Sequence, residues 1–358
     1  MKKNILVKTL WAISLLSVLM ACEKDDEKEI EKGESLSYSA LIINQGNYSE
    51  ANGSLSTLNN DGTISNRVYD EANGGALASI IESAVDCGNY WALLCNSEDK
   101  VVIVNKNDFK HVATYKQVGT PRYGVYKDGV LYTTSSDFTN VVGCVFSIDL
   151  ANAKVDTLIT TNGGVYEGIL YSDGAIWTAF SEYDATTWSS SNPSVCKYDV
   201  LNSTTEFYEL DPSLTLSAKH LAVDNSGKIW LSCSAYGIGG VFASVDKSGK
   251  KLYKEADVKS FDYAGHIYFN GGKLFYMSSA DGANYDVNAF DVTNKEVKKI
   301  ASGEGFYGIG VDPNNGDVYA ANVNGFTTNS SLYVFDKNGN MKIDGELVGV
   351  GACRFLFP

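Results

Sequence analysis

Short runs of apolar and aromatic residues recur along the chain, and each ends on Asp or Asn with a second turn-forming residue three positions on. "YVFDKNGN" carries Asp336 and Gly339, "SIDLAN" Asp149 and Asn152, "KYDVLN" Asp199 and Asn202, "SVDKSG" Asp246 and Gly249, and "AFDVTN" Asp291 and Asn294. Weaker copies are "TLNNDG" (Asn59, Gly62) and "IVNKND" (Asn105, Asp108). The seven Asp/Asn positions are separated by 46, 44, 50, 47, 45 and 45 residues. A second phrase interleaves with the first, Gly followed three positions later by an aromatic: Gly88 to Trp91, Gly129 to Tyr132, Gly174 to Trp177, Gly227 to Trp230, Gly272 to Phe275 and Gly316 to Tyr319. Glycine supplies positive φ, and Asp or Asn bonds its own backbone, so each phrase reads as strand, tight hairpin, strand.

Four short strands in a period of about 45 residues form the pattern of a β-propeller blade. The Gly phrase marks the hairpin between the first, inner strand and the second. The Asp phrase marks the hairpin between the third and the outer fourth. Seven Asp phrases stand against six Gly phrases. "SYSALIINQG" at the start reads as a second strand without its first, and "GACRFLFP" at the end as a first strand without its second. The expected fold is therefore all-β: a seven-bladed β-propeller over residues 36–358, its ring closed by the C-terminal strand joining the N-terminal blade. "DKNGN" and "DPNNGD" look like calcium loops but lack the downstream glutamate.

The N-terminus reads differently. Lys2 and Lys3 precede a mostly apolar run ending in Leu19, Met20, Ala21 and Cys22, which resembles a bacterial lipobox. Residues 1–21 are expected to be a lipoprotein signal peptide, and 22–35 a lipidated Cys22 followed by a charged flexible tether. Lys24, Asp25 and Asp26 resemble the acidic signal that sends Bacteroidetes lipoproteins to the outer face of the outer membrane.

Composition adds two constraints. The 358 residues are 44% hydrophobic, enough for a large core, and the net charge of −14 disfavours nucleic acid as a partner. Of seven cysteines, six lie beyond Cys22; export makes disulfides possible, but the spacing selects no pairing over free buried thiols.

Candidate chemistry gathers where first strands begin and second strands end. There stand Gln45, Glu82, Asn96, Arg122, Tyr123, Tyr166, Glu167, His220, His266, Tyr307, Asn322 and Arg354. The segments expected to loop from second to third strands add aromatics: Tyr48, Phe138, Tyr183, Trp188, Tyr236, Tyr285 and Phe326. Aromatics among small polar residues suit a large, partly flat ligand with many amide edges. His220, His266 and Glu167 are also a candidate acid/base set.

The lipobox with "CEKDDEKE", followed by a seven-bladed propeller of the YncE-like kind, resembles the BtuG-type surface lipoproteins of gut Bacteroidetes. That resemblance implies capture of cobalamin or a related corrinoid and delivery to a TonB-dependent transporter of the BtuB type, on the extracellular side of the outer membrane. It implies no catalysis and no cofactor beyond the transported ligand. Arg122 and Arg354 would meet the ligand's phosphate, Tyr123, Tyr166 and Tyr307 its apolar surfaces, and Gln45, Asn96 and Asn322 its amides. Two alternatives remain open. One is an enzyme resembling the virginiamycin B lyase propellers, with His220, His266 and Glu167 in the reaction. The other is a scaffold for glycan or protein.

Overall fold

A computed structural model describes residues 36–358 apart from 212, 236–238, 249 and 259–264. Cys22, its flanking segments and Tyr236 lie outside the described residues. The regular elements among the described residues are strands, apart from one short α-helix, Val68–Asn73, that the sequence pattern did not announce, and two single-turn 3-10 helices, Asn96–Glu98 and Asn324–Phe326.

The strands group in fours, antiparallel and in chain order. Sheet 1 contains Tyr38–Asn44, Ser54–Asn59 and Ile64–Asn66. Its remaining strand comes from the C-terminus, Ala352–Leu356, with Leu41 opposite Leu356 and Ile43 opposite Arg354. Sheet 2 runs Ser83–Asp86, Tyr90–Cys95, Lys100–Asn105, His111–Lys116, and sheet 3 runs Pro121–Lys127, Val130–Asp137, Val142–Asp149, Lys154–Asn162. Sheet 4 (Gly164–Ser172, Ala175–Asp184, Ser189–Asp199, Thr204–Glu209) meets sheet 5 (Ser217–Val223, Ile229–Ala235, Gly239–Asp246, Lys251–Val258) through one parallel bridge, Glu209 to Lys251. Sheet 6 is Tyr268–Asn270, Lys273–Ser279, Asn284–Asp291, Val297–Glu304, and sheet 7 is Phe306–Val311, Val318–Asn322, Asn329–Phe335, Met341–Val350. The first strand of each sheet lies against the first strand of the next. The succession returns to its start, because Phe306–Val311 lies against Ala352–Leu356 and that strand against Ser83–Asp86.

Every Gly phrase turns the first strand into the second, and every Asp phrase the third into the fourth. Gly174, at φ +74°, shows why the first kind needs glycine. Asp336 shows the second kind: its carboxylate accepts bonds from the backbone N–H of Asn338 (2.8 Å) and Asn340 (2.9 Å) and from Asn340 Nδ2 (2.8 Å). Those bonds, the Asn340 side chain first, pull its pKa from 3.8 to about 2. A native value below the unfolded one means the turn adds stability above about pH 4 and loses it as pH falls through about 2. A carbon-13 carboxyl titration should place the Asp336 midpoint near 2; a midpoint at 3.8 would show the turn bonds absent in solution.

The core lies between sheets. Among the described residues, each hydrophobic cluster joins two consecutive sheets, and one joins sheet 7 to sheet 1. The aromatics of the Gly phrase serve this core: Trp91, Trp177 and Trp230 are almost wholly buried. Burying a large side chain of this kind stabilises by roughly 1.5–3 kcal/mol. Lysines from the Asp turns of sheets 5 and 6 add to it, Lys247 over Trp177 of sheet 4 (5.7 Å) and Lys295 over Trp230 of sheet 5 (4.7 Å). All six cysteines of the described residues are free thiols, five of them buried, and Cys95 and Cys233 fill equivalent core positions without any exposure.

Two of the segments expected to be loops need correcting. "SDFTNVVG" and "SEYDATTWSSSNPS" are not open loops: strands run to Asp137 and Asp184 and resume at Val142 and Ser189. The cause is turn chemistry of the Asp-phrase kind at a second place in the repeat. Asp137 accepts from the N–H groups of Thr139 and Asn140, Asp184 from Thr186, and Asp281 from Ala283 and Asn284. Close approach of first strands also has a residue-level reason. A Cβ on Gly168 would stand 2.7 Å from His220 Cα, and one on Gly308 2.8 Å from Cys353 Cα, so both contacts require glycine.

Candidate functional site

Where first strands begin, side chains from five sheets form one hydrogen-bonded chain. Arg122, in the first strand of sheet 3, places Nη1 2.9 Å from Glu82 Oε1 and Nη2 3.2 Å from Glu167 Oε2. Glu82 precedes the first strand of sheet 2, and Glu167 lies in that of sheet 4. Gln45, just past Tyr38–Asn44 of sheet 1, donates from Nε2 to Glu82 Oε2 (3.3 Å), and Tyr307 of sheet 7 donates its hydroxyl to Gln45 Oε1 (3.3 Å). Both carboxylates are buried. Burial opposes the charge on Arg122, but Glu167 and Glu82 outweigh it and hold the guanidinium firmly protonated.

Beside this chain lies a cluster of rings around Arg354. The Tyr123 ring centroid is 4.5 Å from the Arg354 guanidinium and 5.7 Å from that of Arg122. His220 and His266 meet Tyr123 edge-on at 5.8 and 6.0 Å and each other at 5.3 Å, while Tyr268 stands 6.1 Å from His220 and 6.4 Å from His266. Burial and the charge of Arg354 push His220 down to about 3 and His266 well below the ordinary histidine value, so both rings are neutral at pH 7.

Two aromatic pairs flank the charged chain. Phe138, in the second-to-third-strand turn of sheet 3, and Tyr183, near the end of the second strand of sheet 4, meet edge to face at 5.1 Å, with the Arg122 guanidinium 5.6 Å from Phe138. Tyr307 and Phe326 meet the same way at 4.9 Å, and Asn47 Nδ2 holds the Phe326 carbonyl at 2.8 Å. All four rings are half-buried.

Gln45, Arg122, Tyr123, Tyr183, Glu167, His220, His266, Tyr307, Phe326 and Arg354 are thus brought into one connected region. Others are not. Tyr166 is fully buried between sheets 3 and 4, its hydroxyl 2.9 Å from that of Thr161, because Gly143 and Gly164 leave room for the rings of Tyr166 and Phe180 in the core. Trp188 stands at a turn tip with 82% of its surface exposed. Asn322 accepts from Asn324 N–H, and Asn96 donates to the Pro121 carbonyl, so their side chains serve local backbone. The Tyr285 hydroxyl donates to the Gly282 carbonyl of its own turn. Arg122 is also not available for a phosphate, being already shared by two carboxylates. Sequence reasoning missed Tyr268, although its position two residues after His266 sets both on one side of an extended segment.

No protein-family model matches the chain, and no curated protein matches it in sequence. Solved structures do match. A periplasmic gluconolactonase of Pseudomonas aeruginosa aligns with TM-score 0.67 and 11% identity, covering 90% of this chain and 99% of that one. A quinoprotein alcohol dehydrogenase-like protein of Bacteroides thetaiotaomicron aligns with TM-score 0.63 and 14% identity over 91% and 79%. A protein of Bacteroides uniformis described as a candidate 6-phosphogluconolactonase gives 0.61 and 12% over 90% and 100%. At such identities the likeness bears on fold alone, and that fold is the β-propeller.

Proposed function

We propose that the seven sheets close into a seven-bladed ring whose ligand face captures cobalamin or a related corrinoid, for delivery to a TonB-dependent outer-membrane transporter from a lipid anchor on Cys22. The returning succession of first strands, 1 to 7 and back to 1, supports the closed ring. Further support comes from Tyr123, Arg354, His220 and Tyr268, which belong to sheets 3, 1, 5 and 6: such a meeting is natural around a common axis. The observation that carries the ligand reading is the mounting of two edge-to-face aromatic pairs beside a polar chain whose partners are already fixed. Such a surface offers ring faces held in place by their neighbours, with little ordering cost on binding. With Arg122 and the site's amides engaged, the ligand's recognition rests on apolar contacts rather than on that residue's charge.

Adjacency of His220 and His266 keeps a lyase or hydrolase reading in view. Depressed histidines and a Glu167 spent on Arg122 favour binding over acid–base chemistry. Calorimetric titration of the protein with cyanocobalamin tests the proposal. Saturable heat with unchanged ligand supports capture; conversion of an added substrate that is lost in His266→Ala, without corrinoid binding, would replace it with the enzyme.

A further inference from the structure

Arg354, which the resemblance would set against a corrinoid's phosphate, is the cation whose surroundings the two aromatic pairs do not explain. Its side chain is 93% removed from solvent, being 7% exposed. Among the described residues it makes no salt bridge, while Glu82 and Glu167 are both held by Arg122. Its contacts are the face of Tyr123 at 4.5 Å and a side-chain hydrogen bond with Tyr268. A guanidinium has five N–H donors, more than these two rings can engage. A buried cation without a counter-ion is costly, and an anion brought beside it would offset that cost. A second observation comes from the same cluster: the buried Nδ1 of His220, a ring close enough to feel the charge of Arg354, has no hydrogen-bond partner, although the ring is fixed by the main chain of Ile267.

We propose that this cluster is a binding pocket for a small oxoanion, a carboxylate or phosphate group, held by the Arg354 guanidinium with the His220 imidazole beside it. The pocket stands without corrinoid capture, although a corrinoid's phosphate belongs to the class of group it takes. Binding couples to protons. With the anion absent, His220 is neutral under the combined effect of burial and Arg354. An oxoanion offsets the field of Arg354 and offers His220 Nδ1 an acceptor, so the ring gains a proton as the anion enters. Affinity therefore rises as pH falls. The other ionisable groups around the pair are His266, Tyr123, Tyr268, Cys353, Lys219 and Arg122, with Glu82 and Glu167 on the far side of Tyr123; Lys219 adds to the attraction for an anion, whereas His266 is neutral and the charge of Arg122 is balanced by the two carboxylates.

The test is thermal unfolding and histidine-ring nitrogen-15 NMR of the full chain, titrated with inorganic phosphate or acetate against chloride at equal ionic strength. The expected result is a rise in melting temperature and a shift of the His220 ring signals, both larger near about pH 6 than about pH 8. Arg354→Gln should weaken the response at least about tenfold, since it removes the charge from the pair. If Arg354→Gln does not fold, the wild-type ring spectra decide alone. No response in the wild type, or an undiminished one in a folded Arg354→Gln, overturns the pocket. Binding of cyanocobalamin without any phosphate or acetate response would overturn the pocket and leave corrinoid capture standing. The reverse pattern would keep the pocket and remove the corrinoid.

Discussion

Arg122→Met is expected to lower stability by about 3–5 kcal/mol, the usual cost of removing one partner from a buried ion network. The side chain is 19% exposed and Glu82 and Glu167 only 9% and 7%, so solvent does little to replace the lost charge. Two carboxylates would be left facing one another across the space that Arg122 filled. The effect is expected to spread, because Glu82 also receives Gln45 and Gln45 receives Tyr307. Urea unfolding should show the loss as a lower midpoint with unchanged slope. The triple variant Arg122→Met, Glu82→Gln, Glu167→Gln should recover most of it, since no buried charge is then left unpaired. A single variant as stable as the parent would show that the network is exposed to water in solution.

The largest effect on binding is expected from the aromatic pairs. Phe138→Ala combined with Phe326→Ala should weaken cyanocobalamin binding by about 10- to 100-fold, roughly 1.4–2.8 kcal/mol. Each change removes one ring and also frees its edge-to-face partner, Tyr183 or Tyr307, to reorient. Both residues are half-buried in turns rather than in an inter-sheet core, so the fold should tolerate their loss. Trp188→Ala, at a solvent-exposed turn tip, is the matching control and should leave affinity within twofold, or about 0.4 kcal/mol. Equal affinities for the double variant and the parent would move the ligand away from this face.

How far the molecule could be read from its sequence follows the range of the physics involved. Hairpins were legible because a turn is made by its own residues: Asp336 finds its partners at 338 and 340, and all seven Asp phrases turn third strands into fourth. The same chemistry misled where it appeared out of phase. Asp137, Asp184 and Asp281 make equally tight turns, but at the positions expected to be ligand loops. Pairings across the site were not legible, because they join residues far apart in the chain. Nothing local to Arg122 says that Glu82 and Glu167, 40 residues before it and 45 after, will neutralise it. Nor does the text around Tyr166 announce that its ring turns into the core, where glycines 143 and 164 make room. Ring positions were read from the repeat, but the direction of each side chain depends on neighbours in the adjoining sheets.

Calorimetric titration of cyanocobalamin into the purified protein tests the central proposal most directly. The account predicts a saturable one-to-one isotherm that weakens in the Phe138→Ala, Phe326→Ala variant and survives in Trp188→Ala. A flat trace at concentrations where a micromolar site would saturate would contradict it, and would leave the propeller's face to another ligand.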